Sequence, residues 1–254
     1  MYNKLKWLLG KDVNIPIFII GTGRSGTHWI GYSLGEHPDI RATVEKWPMF
    51  KWSTEMAFYP EREKHLMKRL IGIYKLQLLK SAPKNYLDKS HPNIWIAEKL
   101  KEAFPKGLFV GTERNPFATV ASMMKHKEVS SWHKRFREFP LPNRMLGINK
   151  ETASTYENIP FASQCAMRWL SHHHRMNELK DKLGDSLFII SYEKLAIDTE
   201  KVIAELQKFL SLTNPIPVPE VKKESLSKWQ KQLSAEQVKQ IENVVGFSSG
   251  LHYR

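Results

Sequence analysis

The sequence predicts an α/β fold around a largely parallel sheet, and three stretches carry that expectation. Ile17-Phe18-Ile19-Ile20 is a short apolar run with three β-branched residues. It reads as a buried strand and runs into a glycine-rich turn and a helix. Gly107-Leu108-Phe109-Val110-Gly111-Thr112 repeats the pattern, with the polar turn Glu113-Arg114-Asn115-Pro116 and a helix over 117–125 behind it. Residues 187–191 form a third such strand, leading to Tyr192-Glu193. In sheets built this way, ligands collect outside the C-terminal ends of the strands.

With 254 residues the chain can bury a substantial core, and a single domain over 1–254 is expected. Its 39 Lys+Arg against 26 Asp+Glu leave a net charge of +13, which favours an anionic partner: a phosphorylated cofactor, an acidic substrate, nucleic acid or a membrane surface. The lysines are scattered through amphipathic segments without a dense basic arm or basic–aromatic strand ladders, so nucleic acid is not expected. Cys165 stands alone, which excludes a disulfide framework and an all-cysteine metal site. The opening MYNKLKWLLGKD is too short for a signal peptide or a membrane span. It reads as a short surface helix with at most weak lipid contact, and a cytoplasmic location is expected.

The first turn, Gly21-Thr22-Gly23-Arg24-Ser25-Gly26, precedes a helix over 27–34. Its glycines, the helix N-terminus and Arg24 together describe an anion cradle. The spacing Gly21-x-x-x-x-Gly26 is that of a Walker A loop, but Thr27 and His28 stand where Lys and Ser/Thr belong. That departure speaks against an ordinary kinase or ATPase.

Residues 39–60 hold Glu45 among Trp47, Met49, Phe50, Trp52, Met56, Phe58 and Tyr59 without a clean period. They read as a loop packed over the core or as a lid lining an acceptor pocket. An amphipathic helix is predicted over 61–79 and a short strand over 86–89, which ends in Lys89-Ser90-His91-Pro92. Pro92 opens a helix over 93–103. Residues 129–157 read as a long polar excursion and 161–183 as a long helix. The run His172-His173-His174 on that helix fans outward, so it lacks zinc-ligand spacing, and no metal is expected. A helix over 199–210, an extended 215–219, a basic loop over 222–229 and a helix over 234–244 started by Ser234-x-x-Gln237 complete the chain.

Taken together, these motifs resemble the sulfotransferases that use 3′-phosphoadenosine 5′-phosphosulfate (PAPS), from Ile17 to about Gly246. The resemblance implies a three-layer, P-loop-like sulfotransferase architecture and a loop, Arg24-Ser25-Gly26-Thr27-His28-Trp29, that binds the 5′ phosphate and sulfate. It implies that Arg24 meets the bridging and sulfuryl oxygens, Thr27 the phosphate, and Trp29 the adenine; His28 replaces a family threonine. Arg114 and Ser122 stand for the family pair that binds the 3′ phosphate, and Tyr192 for a tyrosine that closes on the nucleotide. Lys222 and Lys223 match a basic family motif only loosely, because Glu224 takes the place of a glycine.

The expected reaction is PAPS-dependent sulfation of an acceptor hydroxyl (carbohydrate, tyrosyl, lipid or other small molecule), with adenosine 3′,5′-bisphosphate leaving and no metal needed. Lys89 serves the transferring oxygens in this reading. Two residues compete as general base. His91 follows Lys89-Ser90 as the histidine of cytosolic members does, and Glu45 follows His37-Pro38 as the glutamate of carbohydrate and tyrosyl-protein members does. Glu45 is preferred, its carboxyl raised by the rings of Trp47 and Trp52. The alternatives are a kinase-like P-loop enzyme and a nucleotide- or nucleic-acid-binding protein without turnover.

Overall fold

The computed structural model describes residues 14–218 and 223–246. Its centre is a five-stranded sheet in the order β2-β3-β1-β4-β5, every neighbouring pair parallel. The strands are β1 (Pro16–Gly21), β2 (Ile40–Val44), β3 (Asn85–Lys89), β4 (Leu108–Glu113) and β5 (Leu187–Ser191). All-parallel sheets are covered on both faces, and that is why β1 is apolar at every position from Ile17 to Ile20.

Alternation along β1 divides those residues between two cores. Phe18 and Ile20 join Phe109 and Tyr86 in one, packed with α2 (Met49–Phe58), α3 (Glu63–Ser81) and the C-terminal half of α7 (Phe161–Leu183). Ile17 and Ile19 join Leu87, Val110 and Ile190 in the other, packed with α1 (Thr27–Gly35) and α9 (Thr199–Phe209). Burying each such side chain contributes roughly 1.5–3 kcal/mol. A third cluster joins α5 (Pro116–Met124), the start of α7, Trp229 and α10 (Ala235–Val245). The helices α4 (Ala97–Ala103), α6 (Lys127–Lys134) and α8 (Tyr192–Ile197) are short.

Several expected elements hold closely. The helix over 161–183 and the strand over 187–191 match at both ends, and Ser234 and Gln237 form a complete capping box. Three expectations are corrected. Residues 39–60 are neither loop nor lid: they hold the edge strand β2 and then α2, whose Met49, Met56 and Phe58 are buried in the core. The helix expected over 93–103 is split, with a 3-10 turn over His91–Trp95 before α4. The polar stretch 129–157 begins inside α6, whose Val129 and His133 are buried one turn apart. The N-terminal surface helix, Lys222 and Pro219 lie outside the described residues. No described helix is long and apolar enough to cross a membrane.

Candidate active site

Every strand ends at the same edge of the parallel sheet. Glu45 follows β2, Lys89 closes β3 with His91 two residues on, Arg24 follows β1, Arg114 follows β4 and Tyr192 follows β5. The chain leaves β1 toward β2 on one side and β4 toward β5 on the other, so a crevice opens between the ends of β1 and β4.

Arg24 and Arg114 face that crevice. Arg24 lies in the left-handed region (φ +78°), and its Nε donates to Ser122 Oγ at 3.0 Å. Arg114 donates to the Arg24 carbonyl at 3.3 Å and to the Ser225 carbonyl at 2.9 Å, with its guanidinium 4.3 Å from the centre of the Tyr192 ring. The Tyr192 hydroxyl meets Ser225 Oγ at 2.8 Å. Neither arginine forms an ion pair among the described residues, and Arg114 Nε is buried without a partner. A cleft of about 320 Å³ lies here, lined by both arginines, Ser122, His126, Lys228 and Trp229.

The two strand–turn–helix units that look alike in sequence end differently. Asn115 caps α5, accepting from the backbone N–H of Phe117 at 2.9 Å and of Ala118 at 3.3 Å. The N-cap of α1 is Gly26 at φ +96°, and no side chain bonds its first N–H groups. A Cβ on Gly26 would lie 2.7 Å from the Tyr192 ring, so only glycine lets the tyrosine close over the loop. An open helix N-terminus beside two unpaired arginines and an orphaned guanidinium N–H suits a ligand anionic at both ends. Ser25 holds the loop in place. Its hydroxyl donates to the Thr22 carbonyl and meets Thr112 Oγ1 at 2.8 Å, which ties the loop to β4.

Across β1 lies the second half of the site. The Glu45 N–H donates to the Lys89 carbonyl at 2.8 Å, extending the β2–β3 ladder by one residue, and Glu45 then turns left-handed at φ +47°. The fully buried Lys89 ammonium donates to Glu45 Oε1 and to His28 Nδ1, the latter at 3.0 Å. His91 Nδ1 stands 3.2 Å from Glu45 Oε1, and His28 Nε2 stands 3.4 Å from Glu45 Oε2. A carboxylate only accepts, so His91 carries its proton on Nδ1 and its Nε2 holds the lone pair. That Nε2 is buried without a partner, and a Cβ on Gly23 would come within 3.2 Å of it.

Below this cluster the fully buried Asp88 fixes the end of β3. It accepts from Tyr74 Oη at 2.8 Å, Thr43 Oγ1 at 3.1 Å and Asn93 Nδ2 at 3.1 Å. Burial nevertheless pushes its carboxyl up to about 6.

The charge states follow from these contacts. Burial pushes the Glu45 carboxyl up, but hydrogen bonds from His28 and His91 and the charge of Lys89 outweigh it and hold it well below the usual carboxylate range. The expectation of a raised Glu45 is therefore corrected. Its supposed cause is absent as well: Trp47 is 73% exposed and Trp52 packs against the core. Burial lowers the Lys89 ammonium, with Glu45 opposing, and it lowers His91 to about 4.

The sequence-derived residues thus fall into groups. Arg24, Arg114, Ser122 and Tyr192 come together at the cleft, while Glu45, Lys89, His91 and, unexpectedly, His28 form the second cluster. Thr27 faces the pocket beside that cluster. Trp29 packs on the α1 face of the sheet and does not line the cleft; the tryptophan there is Trp229, stacked on Phe117 with ring centres 5.0 Å apart. Lys223 is exposed and does not line the cleft, which Lys125 and Lys228 line instead. Sequence reasoning missed Ser225, Lys228, Trp229 and the buried Arg168. The only signal was the position of Trp229 behind the basic loop. Among the described residues no group of three or more His, Cys, Asp or Glu side chains is placed to hold a metal.

A family model described as the sulfotransferase family matches residues 16–215. Among solved structures, the chain is similar to a sulfotransferase domain from the curacin biosynthetic pathway (12% identity, 92% of this chain and 98% of that one, TM-score 0.57). It is also similar to the sulfotransferase domain of the Synechococcus PCC 7002 olefin synthase (14% identity, 91% and 94%, TM-score 0.55). A mouse sulfotransferase, SULT7A1, complexed with PAP matches at 17% identity over 96% and 89%, with a TM-score of 0.52. No curated protein matches the chain.

Proposed function

The chain belongs to the sulfotransferase family, and from that premise we propose that it transfers the sulfuryl group of PAPS to an acceptor hydroxyl, with adenosine 3′,5′-bisphosphate leaving. The observation that carries this reading is the pair of arginines without acidic partners on either side of the β1–β4 crevice, next to a carboxylate–lysine pair at the end of β3. When bound, PAPS supplies an activated sulfuryl group.

Arg114, with Nε free, and Ser122 hold the 3′ phosphate; the uncapped N–H groups of α1 and Arg24 hold the 5′ end. Trp229 is the ring that the cleft offers to a base. Lys89 is already shared between Glu45 and His28, and it turns toward the transferring oxygens as charge develops there. Sulfuryl oxygens carry less charge than phosphoryl oxygens, so these fixed cations suffice without a metal pair.

Glu45 takes the acceptor proton and His91 orients it. Access supports this order: the Glu45 side chain is 26% exposed, whereas His91 Nε2 is sealed behind the loop at Gly23. The carboxylate gains basicity as Lys89 shifts its charge toward sulfur.

Cys165 as a lone, buried thiol suits the cytoplasm. A screen of hydroxylated carbohydrates, phenols, tyrosyl peptides and lipids, read by PAPS-dependent release of adenosine 3′,5′-bisphosphate, tests the assignment. Release with one acceptor class supports it, and transfer only with ATP as donor, with ADP leaving, returns the kinase-like alternative.

A further inference from the structure

Beside Glu45 lies a small pocket of about 50 Å³, with room for a few heavy atoms rather than a whole ring. Its walls include Phe50, Val129 and Trp132, and one of its lining residues, Arg168 on α7, is 1% exposed. The Nε and Nη1 of Arg168 are buried and have no hydrogen-bond partner, and the guanidinium forms no ion pair among the described residues. It rests instead against the Trp132 ring, with 4.9 Å from its carbon to the ring centre.

The carboxylates at this pocket do not serve Arg168. Glu45 is engaged by Lys89, His28 and His91, and Glu128 is exposed. The buried polar groups nearby give it nothing either. His133 Nδ1 is committed to Tyr156 Oη at 2.6 Å and His172 Nδ1 to the Arg168 carbonyl at 2.8 Å. A buried guanidinium without an anion or a full set of acceptors is among the most costly groups a fold can keep. Burial lowers Arg168 only to about 10, so it stays charged at neutrality. The cation therefore stands ready for an anion that arrives from the pocket.

We propose that the acceptor carries a fixed anionic group, a carboxylate or a sulfate ester, within a few atoms of its reacting hydroxyl, and that Arg168 receives that group. The inference rests on the sulfuryl-transfer reading only in calling the ligand an acceptor. The geometry sets the order: the anion goes in against Arg168, the aromatic walls hold the adjoining carbon atoms, and the hydroxyl is left at Glu45. A neutral carbonyl would satisfy N–H groups without meeting the charge, so a charged group is preferred over its amide.

The test uses matched pairs small enough for this pocket, glycolate with glycolamide and 3-hydroxypropionate with 3-hydroxypropionamide, titrated by calorimetry and ligand-observed NMR. The wild-type protein should bind the carboxylate of at least one pair about tenfold or more tightly than its neutral partner, as a charged hydrogen bond implies. Arg168→Gln should bring that ratio to about threefold or less, and Arg114→Ala should leave it unchanged. Arg168→Met should melt at the wild-type temperature or above, because a buried unpaired charge is removed. The proposal is overturned if no pair shows the preference, if the preference survives Arg168→Gln, or if it disappears with Arg114→Ala. A clear drop in melting temperature for Arg168→Met, or failure of both Arg168 variants to fold, also overturns it by assigning the guanidinium to packing on Trp132. Adenosine 3′,5′-bisphosphate binding, measured on the same samples, separates the two readings. Its absence removes the cofactor assignment, while the carboxylate ratio still decides this one.

Discussion

Around the ends of β1 and β4 the cations stand without acidic partners; at the ends of β2 and β3 the Lys89 cation is engaged by a carboxylate. Arg24 and Arg114 touch only a hydroxyl, carbonyls and a ring, whereas Lys89, His28 and His91 all converge on Glu45. In the proposed reading, the first arrangement is a binding site, in which the missing counter-charge comes with the ligand. The second is a reaction site at rest, in which lysine and carboxylate neutralise each other until a substrate redistributes them. Strand order produces the division, because β1 carries the anion loop between the two halves.

The sharpest way to break this comparison is to remove the accepting group. Glu45→Gln should lower kcat by roughly 10²–10⁴-fold with bisphosphate binding intact, and His91→Asn should lower it less. If His91→Asn takes the large loss and Glu45→Gln keeps near-normal kcat, the two roles are exchanged.

The next largest effect belongs to the binding half. Arg114→Ala should weaken adenosine 3′,5′-bisphosphate by about 1.5–3 kcal/mol, the scale of a charged hydrogen bond, and AMP far less. Equal losses for both nucleotides, measured by calorimetry, would move Arg114 away from the 3′ phosphate.

A smaller signature separates the halves by stability. His91 is held at about 4 when folded and lies near 6.5 when unfolded, so between these values the unfolded chain binds more protons. Its contribution therefore makes stability rise with pH through that window, and His91→Asn should remove up to about 1.4 kcal/mol per pH unit of slope. Asp88, raised to about 6, contributes in the opposite sense in both proteins and cancels in the comparison. Identical slopes in denaturant titrations of the two proteins would place His91 in solvent. The smallest expected effect is none: turnover in EDTA should match turnover without it. Loss restored only by Mg²⁺ would contradict charge stabilisation by the fixed arginines and Lys89.

The central strands, and the gathering of Arg24 and Arg114 behind two of them, were legible in the sequence because apolar runs with polar turns behind them have one physical meaning in a parallel sheet. What escaped has local causes. β2 is a short edge strand, Ile-Arg-Ala-Thr-Val, with Arg41 exposed, so it lacks the apolar run of its neighbours. α2 is apolar on much of its surface because it packs against both the 3-10 turn His91–Trp95 and α3, and that composition erases the helical period. α6 reads as polar because its buried face is one valine and one histidine. Glu45 was found from its neighbours, but not its charge state. That depends on Lys89 and His91 from β3 and His28 from α1, which the sequence does not bring together. Arg168 on a long helix looks like any surface cation until the packing of Trp132 turns its face inward.

The central claim is that Arg24 and Arg114, two arginines of one cleft, hold an adenine nucleotide with phosphates at both its 3′ and 5′ positions. Calorimetry of the wild-type protein with adenosine 3′,5′-bisphosphate, AMP and ATP tests it directly. The bisphosphate should bind far more tightly than either of the others, by at least about tenfold for the added charged contacts at Arg114. Equal affinity for AMP and the bisphosphate, or tighter binding of ATP than of both, would contradict it.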